Sequence, residues 1–225
     1  MMGWLSWMNI IQLKQQGILS EVRRDIISEL MENKSCEIEL SIADVHWAAE
    51  TARSSFERWE SQQGYYNNRL NSHFKGKLGE IAVEKFLLDQ KLKLDSHFRF
   101  SDREKLADIV VKISGYKKIA RLEVKTWSKN YWLDLGRCIA VDQYPDLKKK
   151  AGVIVWCVAD EKQISDASAS ASAPVTVLLA GWSKMDEVLS APVKLTGLDN
   201  MRKVNNYQLA ETDLHEMGSF SGAIL

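Results

Sequence analysis

A glutamate and a lysine lie two residues apart in the segment RLEVKTW, residues 121–127, within a run of β-favouring residues. Side chains at this spacing point to the same face of a strand. Glu123 and Lys125 are therefore predicted to lie side by side. Such a pair is either a surface ion pair or part of a catalytic site. Which of the two it is depends on the charges that neighbouring strands bring to the same face.

The preceding apolar run, residues 107–113, is predicted to form a hairpin with residues 119–127. Gly115 and Tyr116 fit the central positions of a two-residue type II′ turn. That turn pairs position 110 with 121 and position 112 with 119, so Asp108 lies directly across from Glu123. A shift by one residue would bury the charges of this face in the apolar core.

Two carboxylates directly opposite each other repel unless a cation lies between them. Mg²⁺ prefers one or two carboxylates and takes its other ligands from water and substrate phosphate. Asp108 and Glu123 are therefore predicted to bind Mg²⁺, with Mn²⁺ as a substitute. Lys125, on the same face, could orient a nucleophile or stabilise developing negative charge. The alternative is a solvated sheet face with cross-strand ion pairs, which gives no reason for Asp108 to face Glu123.

A helix predicted over residues 76–90 carries the dipeptide Gly79-Glu80 upstream of these strands. Together with Asp108 and the tripeptide at 123–125, it resembles the PD-(D/E)xK nuclease superfamily, which includes restriction endonucleases and related repair and defence nucleases. The resemblance covers residues 76 to 159. It departs from the superfamily pattern at Ala107, where many members have proline.

The resemblance implies a restriction-endonuclease-like fold, in which helices flank a central mixed sheet. It also implies that four side chains are catalytic: Glu80, Asp108, Glu123 and Lys125. The metal ligands would be Asp108, Glu123 and the backbone carbonyl of Val124.

Further polar residues are candidates with open alternatives. Gln143 either reaches the site, as polar residues at this place do in members of the superfamily, or lies on the surface. Lys148 and Lys149 could bind nucleic-acid phosphates or could equally be solvated residues at a helix end. Arg69, Lys75 and Lys77 are interleaved with aromatic residues, which suits a nucleic-acid cleft; the alternative is a helix with core aromatics. Residues 64–76, rich in glycine and asparagine, are predicted to be a polar loop.

Composition limits the partners of the chain. The 225 residues contain 30 basic and 30 acidic side chains, so any positive charge that attracts DNA must be local. Three cysteines without metal-ligand or redox spacing fit a reducing, cytoplasmic compartment. The apolar N-terminal run has no basic flank and is too short to span a bilayer, so no membrane association is predicted.

The order of elements, in which helices alternate with pairs of strands, predicts a mixed α/β sheet rather than a doubly wound one. We expect a helical N-terminal extension over residues 1–45 and a nuclease-like domain over residues 46–225. A homodimer or larger complex is plausible, because cutting both DNA strands needs two sites.

The sequence thus predicts an Mg²⁺-dependent deoxyribonuclease, an endonuclease acting in restriction, anti-phage defence or repair. RNA stays open as a substrate. The alternative is a non-catalytic module with the same fold that binds nucleic acid or another protein.

Overall fold

The computed structural model describes residues 35–59, 69–94, 107–112, 119–160, 173–197 and 203–224. Most of the predicted N-terminal extension and the predicted turn at Gly115 and Tyr116 lie outside these residues. Nine strands are described: β1 (Cys36–Leu40), β2 (Lys93–Leu94), β3 (Ile109–Lys112), β4 (Ile119–Ser128), β5 (Cys138–Ala140), β6 (Val153–Ala159), β7 (Val175–Lys184), β8 (Val193–Thr196) and β9 (Val204–Gln208).

Six of these strands form one mixed sheet in the order β1-β7-β6-β4-β3-β2. Strands β4 and β6 run parallel, and every other neighbouring pair in this sheet is antiparallel. The prediction of a mixed sheet flanked by helices is confirmed. A second, antiparallel sheet of three strands, in the order β5-β9-β8, was not predicted from the sequence.

Helices are described over five segments: α1 (Ile42–Trp59), α2 (Arg69–Asp89), α3 (Lys129–Leu135), α4 (Tyr144–Lys150) and α5 (Phe220–Ile224). Helix α1 begins after a reciprocal cap, in which the Asp44 backbone N–H donates to Ser41 Oγ (3.3 Å) and the Ser41 backbone N–H donates to Asp44 Oδ2 (3.0 Å). None of the described helices is long and apolar enough to cross a bilayer.

Helix α2 begins earlier than predicted, and the loop expected over residues 64–76 is wrong for residues 69–76. Phe74 and Leu78 are four residues apart and both are buried in the main core. That spacing places them on one face of a helix. The tertiary burial of Phe74 extends the helix through a segment whose glycine and asparagine content favours a loop.

Both faces of the mixed sheet are covered. Helices α1 and α2 pack on one face, where Leu122 and Val124 of β4 enter the main core. On the other face, Ile154 and Trp156 of β6 belong to a second core that includes side chains from α3, α4 and the small sheet. Since Glu123 pairs with Ile154 and Lys125 with Trp156, the charged face of β4 adjoins a packed layer rather than bulk solvent.

Strand β1 pairs with β7 at one edge of the mixed sheet. Its residues belong to the range that the sequence analysis assigned to the extension, so the sheet begins before residue 46. Leu40 is fully buried, whereas Glu39 next to it is exposed.

We expect Leu40→Ala to lower the free energy of unfolding by about 2–5 kcal/mol, because it leaves a cavity in the main core. The matched control is Glu39→Ala on the solvent side of the same strand, which should change it by less than about 0.5 kcal/mol. Urea denaturation measures both. Equal stability of the two variants would show that β1 lies outside the cooperative unit.

Candidate active site

The hairpin of β3 and β4 has the predicted register. Val110 pairs with Arg121 and Lys112 with Ile119. The last described pair, Ile109 with Leu122, places the preceding residue Asp108 opposite Glu123.

The carboxylate of Asp108 is tied to the backbone of β4. The Val124 N–H donates a 2.8 Å hydrogen bond to Asp108 Oδ2. The Asp108 side chain thus supplies a hydrogen-bond acceptor to β4 just before the first residue of β3. Only Oδ2 takes part in this hydrogen bond, so Oδ1 can serve another ligand.

Glu123 and Lys125 form the ion pair that their spacing predicts. The distance from Lys125 Nζ to Glu123 Oε1 is 2.6 Å, and the glutamate side chain is 10 % exposed against 29 % for the lysine. This pair is therefore not a solvated surface pair, whose contribution to stability is small. The lysine amine is the more accessible of the two groups.

Helix α2 supplies a third carboxylate. Glu80 is buried, and Lys77, one turn earlier, donates to both of its oxygens at 2.7 Å. The residue before it, Gly79, packs against Val124 and Thr126 of β4. This contact between helix and strand brings Glu80 towards the charged residues of β4.

The three carboxylates interact through space. The pKa of Asp108 is raised to about 8, first by burial and then by the negative charges of Glu123 and Glu80, while Lys125 and the Val124 N–H partly offset these effects. Burial also raises the pKa of Glu80, with Lys77 acting against it and Glu123 adding to it. The four predicted catalytic side chains therefore form one electrostatic cluster, which we call the acidic cluster: Glu80, Asp108, Glu123 and Lys125.

The donor chemistry of this cluster fits a hard divalent cation. The charges of Glu123 and Glu80 disfavour ionisation of Asp108, a repulsion that a bound cation would relieve, and oxygen ligands suit Mg²⁺ or Mn²⁺. Among the described residues, no three or more histidine, cysteine, aspartate or glutamate side chains are arranged to hold a metal by themselves. A Mg²⁺ site with one or two carboxylates and several waters does not need such a group.

The structure does not bring Gln143 into the cluster. This residue is exposed and directly precedes α4, where its backbone carbonyl accepts hydrogen bonds from the N–H groups of Asp146 and Leu147. None of the described contacts joins its side chain to Asp108 or Glu123. The surface alternative fits Gln143 in this structure.

The basic candidates fall into two groups. Lys148 and Lys149 on α4 are exposed and pair with acidic residues, Asp186 at 2.6 Å and Asp146 at 2.9 Å. Lys75 is close to β4, where its Nζ donates to Ser128 Oγ at 2.9 Å. Arg69 is the first residue of α2. Its side chain is not among those that the structure describes, so its predicted contact with DNA stays a prediction.

Lys77 has a contact that the sequence analysis missed. It was predicted to bind DNA phosphate, yet it neutralises Glu80 within the same helix. The three-residue spacing of a lysine and a glutamate was a visible signal for this ion pair.

Comparison of the chain with protein-family models, with curated proteins and with solved structures found no match. The assignment of a function therefore depends on the geometry of the acidic cluster.

The raised pKa of Asp108 predicts a pH dependence of stability. Between the unfolded-state pKa of about 3.9 and the folded-state value of about 8, the folded protein binds more protons than the unfolded chain. Its stability therefore falls as pH rises through this window. We expect the melting temperature in chelator to decrease from about pH 5 to about pH 8, and Asp108→Asn to remove most of this decrease.

The control for this experiment is Asp146→Asn on the surface of α4. Lys149 holds the pKa of Asp146 below its usual value, so this group titrates below the window and its variant should keep the wild-type profile. An equal slope in Asp108→Asn and wild type would contradict the assignment to Asp108.

Proposed function

We propose that the protein is a Mg²⁺-dependent deoxyribonuclease that hydrolyses DNA phosphodiester bonds. The observation that carries this proposal is the acidic cluster itself. Three carboxylates and one lysine, from two adjoining strands and a helix, interact at a place where burial keeps Asp108 protonated up to a pH of about 8. Perturbed carboxylates of this kind concentrate at functional sites.

The residues that would hold Mg²⁺ are Asp108, through the oxygen not bonded to Val124, and Glu123, with the backbone carbonyl of Val124 as a further oxygen donor. Bound Mg²⁺ activates water and neutralises phosphate charge. The hydrogen bond from the Val124 N–H fixes the orientation of the Asp108 carboxylate. Glu80, whose charge is balanced by Lys77, interacts through space with Glu123 and would support the ligands from the helix.

Lys125 would act on the phosphate. Its amine is held 2.6 Å from Glu123 and is partly exposed, so a substrate phosphate oxygen can replace the carboxylate as its partner. From there the ammonium group stabilises the negative charge that develops on phosphorus oxygens in the transition state. Lys75, which donates to Ser128 at the end of β4, would bind an adjoining phosphate.

We propose further that the mixed sheet and its helices form a restriction-endonuclease-like fold. The protein would then act as an endonuclease in restriction, anti-phage defence or repair. The three cysteines are free thiols, and burial raises the pKa of Cys138 to about 12. Cysteines that form no disulfide are typical of a reducing compartment, which supports placing the activity in the cytoplasm.

The first test is cleavage of supercoiled plasmid with Mg²⁺ and with excess chelator. We expect Asp108→Ala, Glu123→Ala and Lys125→Ala each to lower the rate by at least about 10²-fold, because each removes a charge that acts on the phosphate or the metal. Glu80→Ala should have a smaller effect.

The control variant is Lys112→Ala, which removes an exposed lysine from the same hairpin and should leave the rate unchanged. Undiminished cleavage in excess chelator would contradict metal-assisted hydrolysis. DNA binding without cleavage by the wild type would instead favour the non-catalytic module.

The second test measures metal binding without activity. At about pH 9, where Asp108 is ionised, Asp108→Asn in chelator should be at least as stable as wild type. The variant loses a repelling charge, and its amide oxygen can still accept the Val124 N–H.

Millimolar Mn²⁺ should raise the wild-type melting temperature by about 5–10 °C if it exceeds the dissociation constant about 100-fold. The shift should be smaller in Asp108→Asn and unchanged in Asp146→Asn. A destabilised Asp108→Asn with the full Mn²⁺ response would rule out the metal site.

A further inference from the structure

Gly79 of α2 packs directly against Thr126 of β4. A Cβ atom added at Gly79 would overlap Thr126 Oγ1 and would lie 3.1 Å from Thr126 Cβ and 3.3 Å from Val124 Cγ1. Only a residue without a side chain fits at this position. The contact adjoins the acidic cluster on both sides, because Glu80 follows Gly79 and Lys125 lies between Val124 and Thr126.

We propose that the contact of Gly79 with Thr126 sets the distance between α2 and β4 and thereby positions Glu80 against Glu123 and Lys125. Gly79 is a positioning residue, and it acts through Glu80. This inference rests on the proposed function for its catalytic consequence, but the contact itself can be tested in the absence of metal and DNA.

Gly79 and Thr126 each lower the stability of the folded protein. Glycine in the interior of a helix is less favourable than alanine, because it loses more backbone entropy on folding. Thr126 Oγ1 is buried and has no hydrogen-bond partner among the described residues, which incurs the desolvation penalty of a hydroxyl group. Departures from local preference of this kind are expected at functional sites.

Cys157 does not remove the desolvation penalty of the buried Thr126 hydroxyl. Cys157 on β6 pairs with Thr126 in the parallel ladder. Burial raises the pKa of its thiol, and the Thr126 hydroxyl offsets this only in part. A thiol is a weak donor, and the two groups do not meet normal hydrogen-bond geometry.

A second glycine in the same helix provides a matched control. Gly76 has open space where a Cβ would lie. Gly76→Ala should therefore raise the melting temperature by about 2–4 °C through helix propensity alone, with unchanged cleavage. Gly79→Ala gains the same propensity but must push α2 away from β4. We expect it to lower kcat on the order of 10- to 100-fold with KM unchanged.

Removing the obstructing atom should reverse this effect. Gly79→Ala/Thr126→Ala makes room for the new Cβ and should recover most of the lost kcat. Gly79→Ala/Thr126→Ser keeps the hydroxyl oxygen and should not. If Gly79→Ala alone does not fold, recovery of folded and active protein in the first double variant supports the inference. If the wild type cleaves DNA, a folded double variant without recovered cleavage overturns it.

A measurement in chelator separates this inference from the proposed nuclease activity. The melting-temperature change caused by Glu80→Gln reports the interaction of Glu80 with its neighbours. We expect that change to fall to about half or less in the Gly79→Ala background and to return in Gly79→Ala/Thr126→Ala. The same change in all three backgrounds would overturn the positioning role, whether or not the protein cleaves DNA. If the effect of Glu80→Gln on the melting temperature changes between backgrounds as expected but the wild type does not cleave DNA, the positioning role is retained and the nuclease proposal is rejected.

Discussion

Mutual repulsion of three carboxylates, from Glu80, Asp108 and Glu123, is the constraint that the surrounding structure has to satisfy. Two lysines, Lys77 and Lys125, each bond one of these carboxylates at 2.6–2.7 Å. The third keeps its proton up to a pH of about 8, because burial and the other two negative charges disfavour its ionisation. Without metal, two of the carboxylates are thus compensated by a lysine and the third by its raised pKa.

The location of the cluster follows from where β3 begins alongside β4. Strand β3 begins at Ile109, so Asp108 lies outside the ladder and its side chain, rather than a backbone carbonyl, accepts the Val124 N–H. Along its other edge, β4 pairs in parallel with β6. The second core packs on the face of the sheet that carries Glu123 and Lys125. The cluster thus lies at the beginning of the short strand β3, beside both packed layers.

Departures from local structural preference gather around β4. A helical glycine, an unpartnered hydroxyl and a carboxyl with a strongly raised pKa occur within a few residues of one another, at Gly79, Thr126 and Asp108. Each of them lowers stability, although Gly79 also permits the close packing of α2 on β4. Their concentration at one place is the pattern expected where a site is maintained for binding or chemistry at a cost in stability.

The sequence by itself determined the local geometry of the site. The alternation of β3 and β4 fixes which residues face each other, because a slip of one residue would exchange the apolar and charged faces. The three-residue spacing of Lys77 and Glu80 likewise depends only on helix geometry. These features involve neighbours along one helix or one hairpin, so periodicity was enough to place them.

Tertiary structure decided the environment of those residues. The strands of the small sheet, two of which contribute to the second core, are short, and β5 lies far from β8 and β9 in the chain, so they left no periodic signal. The same applies to the start of α2 at Arg69, where burial of Phe74 outweighed local loop preference. The close approach of Gly79 to Thr126 joins residues from two elements whose separation no local pattern encodes. Burial, and with it the pKa of Asp108, could therefore be known only from the packed fold.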